Sequence, residues 1–163
     1  MILVAVGTQF PFDRLVETVD KWAAASGAEV IGQIGPSTYV PAHIKAQAFL
    51  PPEEFQALLD KAELVIAHCG MGSILSALSC GKPIIVMPRS AAKGEHRNDH
   101  QFATAERFAG RPGVTVASDE AELSHCLERI GAAGGRSSFA RIPPKAPREL
   151  TDRLRDFLCE GKR

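Results

Sequence analysis

Val65-Ile66-Ala67-His68-Cys69-Gly70-Met71-Gly72-Ser73-Ile74-Leu75 carries the reading of this chain. An apolar run ends, a Gly-x-Gly-Ser turn follows, and a helical pattern begins. In an open parallel sheet, ligands bind beyond the carboxyl ends of the strands, where loops lead into helices. Glycines there let a ligand approach the backbone, and the helix N-terminus offers unpaired N–H groups and a favourable dipole. A phosphate or pyrophosphate is the natural guest. The same residues also fit a plain tight turn in which Ser73 caps the helix, and the segment alone leaves both open. Two other phosphate motifs are excluded. A dinucleotide fingerprint needs G-x-G-x-x-G after a first strand, but its last position is Leu75 and this strand is a late one. A P-loop needs Gly-Lys followed by Ser or Thr, whereas Gly81-Lys82 precedes Pro83.

Working outward, short apolar runs alternate with longer amphipathic ones. Residues 2–6, 29–34, 45–50, 64–67, 83–87 and 113–117 read as strands. Between them, Leu15, Val19 and Trp22 recur at helical spacing after Asp13, which fits an N-cap. Pro51-Pro52 opens a short helix with Phe55, Leu58 and Leu59 inward. Residues 72–80, 99–108 and 119–130 complete the helices, the last with Leu123, Leu127 and Ile130 in one stripe. Such alternation predicts an α/β fold: a Rossmann-like, doubly wound parallel sheet over residues 1–130. Residues 131–147 are rich in Gly, Ser and Pro and hold Arg136, Arg141 and Lys145 without an acidic residue, as a basic linker does. Residues 148–163 carry a C-terminal amphipathic helix with Leu150, Leu154, Phe157 and Leu158 on one stripe and Glu149 paired with Arg153 outside.

At 163 residues the chain is sized for one domain with a real core. It is 45% hydrophobic and 23% charged, which is ordinary for a soluble globular protein. Its 19 basic and 19 acidic residues cancel, which gives no footprint for nucleic acid. No run approaches the length of a membrane span. The apolar start lacks a basic lead and runs into Gly7-Thr8-Gln9, so it reads as a core strand rather than a signal peptide. Cys69, Cys80, Cys126 and Cys159 are scattered without metal-ligand spacing and read as reduced thiols of a cytoplasmic protein.

A second polar cluster follows the next strand: Pro88-Arg89, then Glu95-His96-Arg97-Asn98-Asp99-His100-Gln101. At the carboxyl end of a neighbouring strand it faces the same crevice, and its donors and acceptors suit sugar hydroxyls or phosphate oxygens. His96 and Arg97 are assigned to a solvated loop, with Asp99 capping the following helix. Gly7-Thr8-Gln9 is a third candidate for phosphate contact through backbone N–H groups.

Together these pieces resemble the C-terminal, donor-binding domain of family-28 glycosyltransferases, and most of all its stand-alone small subunits. Those include the cytosolic subunit of the enzyme that adds the second N-acetylglucosamine to dolichol-linked sugar, and PssE-type exopolysaccharide relatives. The resemblance is carried by Val6-Gly7-Thr8 with Phe12-Asp13-Leu15-Val16, and by Phe49-Leu50-Pro51 with Phe55. It continues through residues 62–74, residues 81–89, and Glu95-His96 with Asn98-Asp99-His100-Gln101.

The resemblance implies a single GT-B half-domain that holds a UDP-sugar, with no tightly bound cofactor and no metal. A membrane-associated, acceptor-binding glycosyltransferase subunit would be its partner. Phe49 and Leu50 would flank the uracil, largely through backbone. Gly7, Thr8 and the turn of Gly70, Met71, Gly72 and Ser73 would meet the pyrophosphate. His100 and Gln101 would reach the donor sugar, and His68 would orient the phosphate turn. Transfer would be inverting, to a lipid-linked acceptor in surface polysaccharide synthesis, with the catalytic base on the partner. The chain itself would be cytoplasmic, recruited to the inner membrane face by that partner. One departure stands out. Many relatives carry an acidic residue three positions after the motif serine, placed to accept from the ribose hydroxyls; here it is Ser76. Losing a charged acceptor weakens binding by roughly 1.5–3 kcal/mol where nothing compensates. Ser76 therefore keeps open a non-catalytic nucleotide-sugar-binding regulatory module, or a scaffold that only stabilises its partner.

Overall fold

The computed structural model describes residues 1–133 and 148–160. Six parallel strands form one sheet: β1 (Ile2–Ala5), β2 (Val30–Gln33), β3 (Lys45–Gln47), β4 (Leu64–His68), β5 (Ile84–Met87) and β6 (Val114–Val116). Their spatial order is β3-β2-β1-β4-β5-β6, and every neighbouring pair runs parallel. The helices are α1 (Asp13–Ser26), α2 (Pro52–Lys61), α3 (Met71–Ser79), α4 (His100–Phe108), α5 (Glu120–Ala133) and α6 (Arg148–Glu160). The doubly wound parallel sheet expected from the sequence is therefore the fold.

Strands covered on both faces need no polar side, which is why the central ones read as unbroken apolar runs. In β1, Ile2 and Val4 enter a core that Leu15, Val16 and Val19 of α1 and Leu123 and Leu127 of α5 complete. Leu3 and Ala5 point the other way, to Leu59 of α2, Ile74 and Leu78 of α3, and Phe108 of α4. Each large aliphatic or aromatic side chain among these contributes roughly 1.5–3 kcal/mol by leaving water. Edge strand β3 ends at Gln47, short of the expected 50, and exposes Lys45 and Gln47. A short charged edge of this kind resists pairing with other chains.

Two expected caps are made differently. Phe12, not Asp13, stands at the N-cap of α1, because Asp13 is already helical. Its carboxylate instead accepts from Ser37 Oγ at 2.6 Å and Thr38 N at 3.1 Å, which fastens the loop after β2 to the helix. Asp20, buried farther along the same helix, accepts from Tyr39 Oη (2.9 Å), Ala42 N (3.1 Å), His43 N (2.7 Å) and Ile44 N (3.0 Å). Burial pushes its pKa up, but these donors outweigh that and hold it below the ordinary carboxylate value. Asp99 stands at the N-cap of α4 without capping it; its carboxylate takes Ala91 N at 2.7 Å.

Helix α5 runs to Ala133, past the expected boundary at 130. The rest of the expected linker, 134–147, and residues 161–163 lie outside the described residues. On α6, Leu150 and Phe157 are exposed. Among the described residues its ion pair is Asp152 with Arg155 at 2.7 Å, not Glu149 with Arg153. Among the described residues no helix is long and apolar enough to cross a membrane.

Candidate functional site

Between β1 and β4 the order of the strands reverses, and loops leaving such a switch point diverge to open a crevice. A cavity of about 310 Å³ lies there. Gly7, Thr8, Gln9 and Phe10 line it from the turn after β1, His68 from the end of β4, and Arg89 from the turn after β5. His96 and Gln101, ahead of and within α4, close the remaining side. Gly7 has a φ of 80°, in the left-handed region that residues with a side chain rarely adopt, and this bends the chain sharply around the cavity.

His68 stands against both glycine turns. A Cβ on Gly70 would collide with His68 Nε2 and lie 2.8 Å from Cδ2, so this position must be glycine for the ring to sit where it does. His68 Nδ1 lies 3.3 Å from the Ala5 carbonyl. A carbonyl only accepts, so Nδ1 carries the proton and Nε2 is left as an acceptor. Burial, reinforced by the charge of Arg89, lowers the ring's pKa to about 4. It is neutral at pH 7.

Arg89 is 2% exposed. Nη1 donates to Pro11 O at 3.2 Å and Glu95 O at 2.9 Å, and Nη2 donates to Val6 O. Nε is buried without a partner among the described residues. Its own backbone N–H donates to Gln101 Oε1 at 3.1 Å, which fixes that side chain in the cavity wall. Desolvation lowers the guanidinium's pKa to about 10, still charged at pH 7. The nearby Glu95 carboxylate is already engaged: Arg14 grips it at 2.5 and 3.0 Å, and Ser90 N donates to it at 2.8 Å. Arg14 also reaches Glu120 at 3.0 Å, and Lys93 pairs with Glu120 at 3.3 Å. The Arg14 and Arg89 guanidiniums both lie over the Phe12 ring, each 5.0 Å from its centroid, where the ring's π-face favours a cation.

At the rim, the His96 ring packs 5.2 Å from Phe10 and edge-on to His100 at 4.7 Å. Burial, then the charges of His100, Arg89 and Arg97, lower the His96 pKa. His96 thus belongs to the cavity and not, as the sequence suggests, to a solvated loop; Arg97 is exposed.

Of the residues expected from sequence, Gly7, Thr8, His68 and Gln101 share this cavity. Gly70 touches it through His68, and His100 through His96. Met71, Gly72, Ser73 and Ser76 do not line it; they form the first turns of α3, with Met71, Gly72 and Ser76 exposed. Gly70 is the N-cap of α3 and no side chain caps it, so Ser73 is not a cap and the first-turn N–H groups keep their donor capacity. Phe49 is 58% exposed beyond β3. Leu50 is buried in the core, and its N–H donates to Gln33 Oε1 at 3.0 Å. The sequence places Gln9 in a turn read for phosphate contact and Arg89 in a polar cluster without a role of its own, and offers no reason to single out Phe10. The signal available for Arg89 is its place directly behind a strand as apolar as 84–87.

Residues 1–129 match the family described as glycosyltransferase family 28 C-terminal domain. The chain is 29% identical over 156 residues to the human UDP-N-acetylglucosamine transferase subunit ALG13, covering 88% of this chain and 12% of that protein. It is 28% identical over 181 residues to a Synechococcus UDP-N-acetylglucosamine–N-acetylmuramyl-(pentapeptide) pyrophosphoryl-undecaprenol N-acetylglucosamine transferase, covering all of this chain and 48% of that one. It thus spans half or less of the length of these two curated relatives. The solution NMR structure of ALG13 superposes with a TM-score of 0.58 at 20% identity, covering 94% of this chain and 93% of that one.

Proposed function

The chain belongs to the glycosyltransferase family 28 C-terminal domain family, and on that footing we propose that it is the donor-binding subunit of a two-part inverting glycosyltransferase. It holds a UDP-sugar while a membrane-associated subunit presents a lipid-linked acceptor. The names of its relatives, a transferase subunit and a transferase acting on a pyrophosphoryl-undecaprenol acceptor, agree with this division. The observation that carries the reading is the cavity at the switch point, where Gly7, Thr8, His68 and Gln101 meet.

The diphosphate lies between the Gly7-Thr8 turn and the uncapped N-terminus of α3, where Met71, Gly72 and Ser73 supply N–H groups and Gly70, whose own N–H donates to His68 O at 2.8 Å, shapes the turn. Phe49 offers an exposed ring to the uracil; Leu50, with its side chain in the core, contributes backbone only. Gln101 and His100 reach the donor sugar, and Ser76, exposed one turn along α3 from Gly72 and Ser73, faces the ribose. His68 orients the phosphate turn. Its low basicity makes it a poor general base, and among the described residues none lining the cavity is a carboxylate. The base that activates the acceptor hydroxyl therefore comes from the partner. The exposed Leu150 and Phe157 of α6 fit docking on that partner.

Calorimetric titration with UDP tests the placement. Ser73→Trp, in a folded protein, is expected to abolish binding. Ser76→Glu restores a charged acceptor and is expected to tighten binding about tenfold or more. UDP binding unaffected by both would refute the site. Ser76 also supports a second reading, a non-catalytic nucleotide-sugar-binding module. UDP binding without transfer, in the presence of a partner subunit and acceptor, would favour it.

A further inference from the structure

Arg89 poses an electrostatic problem within the fold itself. A buried guanidinium is ordinarily matched by a carboxylate, because removing a charge from water costs several kcal/mol when nothing opposes it. Here, among the described residues, the three partners of its Nη atoms are neutral carbonyls, and Nε has none. The neighbouring acids answer it only in part: the Glu95 charge favours the ionised guanidinium, but its carboxylate bonds Arg14 and Ser90 N rather than Arg89. Glu95 and Glu120 are paired with Arg14 and Lys93, a group of two negative and two positive charges. Arg89 remains as a positive charge with no carboxylate bonded to it, in the wall of a cavity where, among the described residues, no lining residue is a carboxylate and His68 is neutral.

We propose that Arg89 is the anion-selecting residue of this cavity: its buried charge is completed by the ligand's diphosphate rather than by any side chain of the fold. The same guanidinium braces the walls that would hold this ligand, through Val6 and Pro11 on either side of the Gly7-Thr8 turn and through Glu95 O on the loop ahead of α4. Arg89 is therefore both a positioning residue and the source of the field. A ligand without phosphate gains nothing from it, whereas a diphosphate gains a charge-assisted interaction in a site partly shielded from water. The inference rests on the nucleotide-sugar reading for the identity of the anion, but not for its charge.

Two variants of the full chain separate these roles, with inorganic pyrophosphate, UDP and uridine as probes. Arg89→Gln removes the charge and some of the bracing. Gln101→Glu keeps the shape, and keeps an acceptor for Arg89 N, while placing a negative charge in the cavity wall that Arg89 shares. Binding is read by calorimetry and by the rise in melting temperature. Wild type is expected to be stabilised by pyrophosphate and by UDP, and Gln101→Glu to bind both about 10–100-fold more weakly. Uridine affinity should be unchanged. Arg89→Gln should behave likewise; if it does not fold, Gln101→Glu decides alone. Wild-type affinity for pyrophosphate in a folded Gln101→Glu overturns the proposal, and so does an equal loss of uridine and UDP binding, which marks a structural role only. If wild type binds pyrophosphate in this charge-dependent way but gains nothing from uridine, the nucleotide reading fails and Arg89 stands. Tight UDP binding indifferent to both variants gives the reverse. Binding of neither probe sinks both.

Discussion

Replacing Gly70 with alanine probes the contact on which the site is built. The new Cβ would collide with His68 Nε2, and would lie 2.8 Å from Cδ2 and 3.1 Å from Cε1. Gly70 has a φ of -97° and a ψ of 138°. These are ordinary extended values, so backbone strain plays no part and the cost is steric. Ordinary contact needs about 3.5 Å, so the ring must retreat by about 1 Å. It has little room: Nδ1 is tied to Ala5 O at 3.3 Å, and Cε1 lies 3.3 Å from the place a Gly7 Cβ would take. Overpacking of this kind costs about 1–3 kcal/mol. At about 2–4 °C per kcal/mol, Gly70→Ala should melt roughly 2–12 °C below wild type. Gly72→Ala is the control. Its Cβ meets nothing within 4 Å. It should therefore be neutral or stabilising by up to about 1 kcal/mol. In a His68→Ala background the obstacle is gone, and adding Gly70→Ala should cost almost nothing, a coupling of about 1–3 kcal/mol in the double-mutant cycle. Thermal and urea denaturation of the four proteins read it. Equal losses from Gly70→Ala with and without the His68 ring would rule out the steric contact with His68 as the cause.

Three further outcomes follow from single groups. The His68 pKa is lowered from 6.5 to about 4 in the fold, so between these values the unfolded chain binds the extra proton. Stability should therefore fall as pH drops from about 6.5 towards about 4, and His68→Gln should flatten that part of a melting-temperature profile; an unchanged slope would exclude His68 as its source. Asp20 accepts from four donors, and Asp20→Asn turns an amide donor towards them. It should cost about 2–4 kcal/mol by urea denaturation, whereas a loss under about 0.5 kcal/mol would contradict the hydrogen bonds described. Phe49 is exposed, so Phe49→Ala should leave stability within about 0.5 kcal/mol of wild type. It should still weaken UDP binding and not pyrophosphate binding; equal weakening of both would remove Phe49 from the uracil site.

What could be read from the sequence divides along a physical line. Strands β1, β4 and β5 were legible because burial on both faces writes itself as consecutive apolar residues. Gly7, Thr8, His68 and Gln101 were legible because they follow such strands or open the next helix. The roles of Asp13 and Asp99 were not. Each is a good capping residue locally, but each finds its donors outside its own helix, Ser37 and Thr38 in the loop after β2 for one and Ala91 in the segment before α4 for the other. The burial of Arg89 and the place of His96 were hidden for the same reason. An arginine or histidine in a polar cluster reads as solvated, and only the approach of Val6, Pro11 and Phe10 from far along the chain encloses it.

The charge of the cavity bears on why donor and acceptor chemistry would be placed on separate chains. An inverting transfer needs a base strong enough to take a hydroxyl proton, and a carboxylate beside the leaving diphosphate is an obvious choice. At about 4 Å, however, two like charges repel by about 4 kcal/mol at the effective dielectric of a protein surface, and each added phosphate charge increases that. On the proposed reading, a wall with no acid among the described residues, carrying the charge of Arg89, favours the diphosphate for the same reason that it would not deprotonate the acceptor. His68 does not resolve the conflict, because the burial and the Arg89 charge that suit the site to an anion also lower its pKa to about 4. On the proposed reading the two demands are met by distance: the base stands across the cleft on the partner, and comes within reach only when acceptor and donor are both bound.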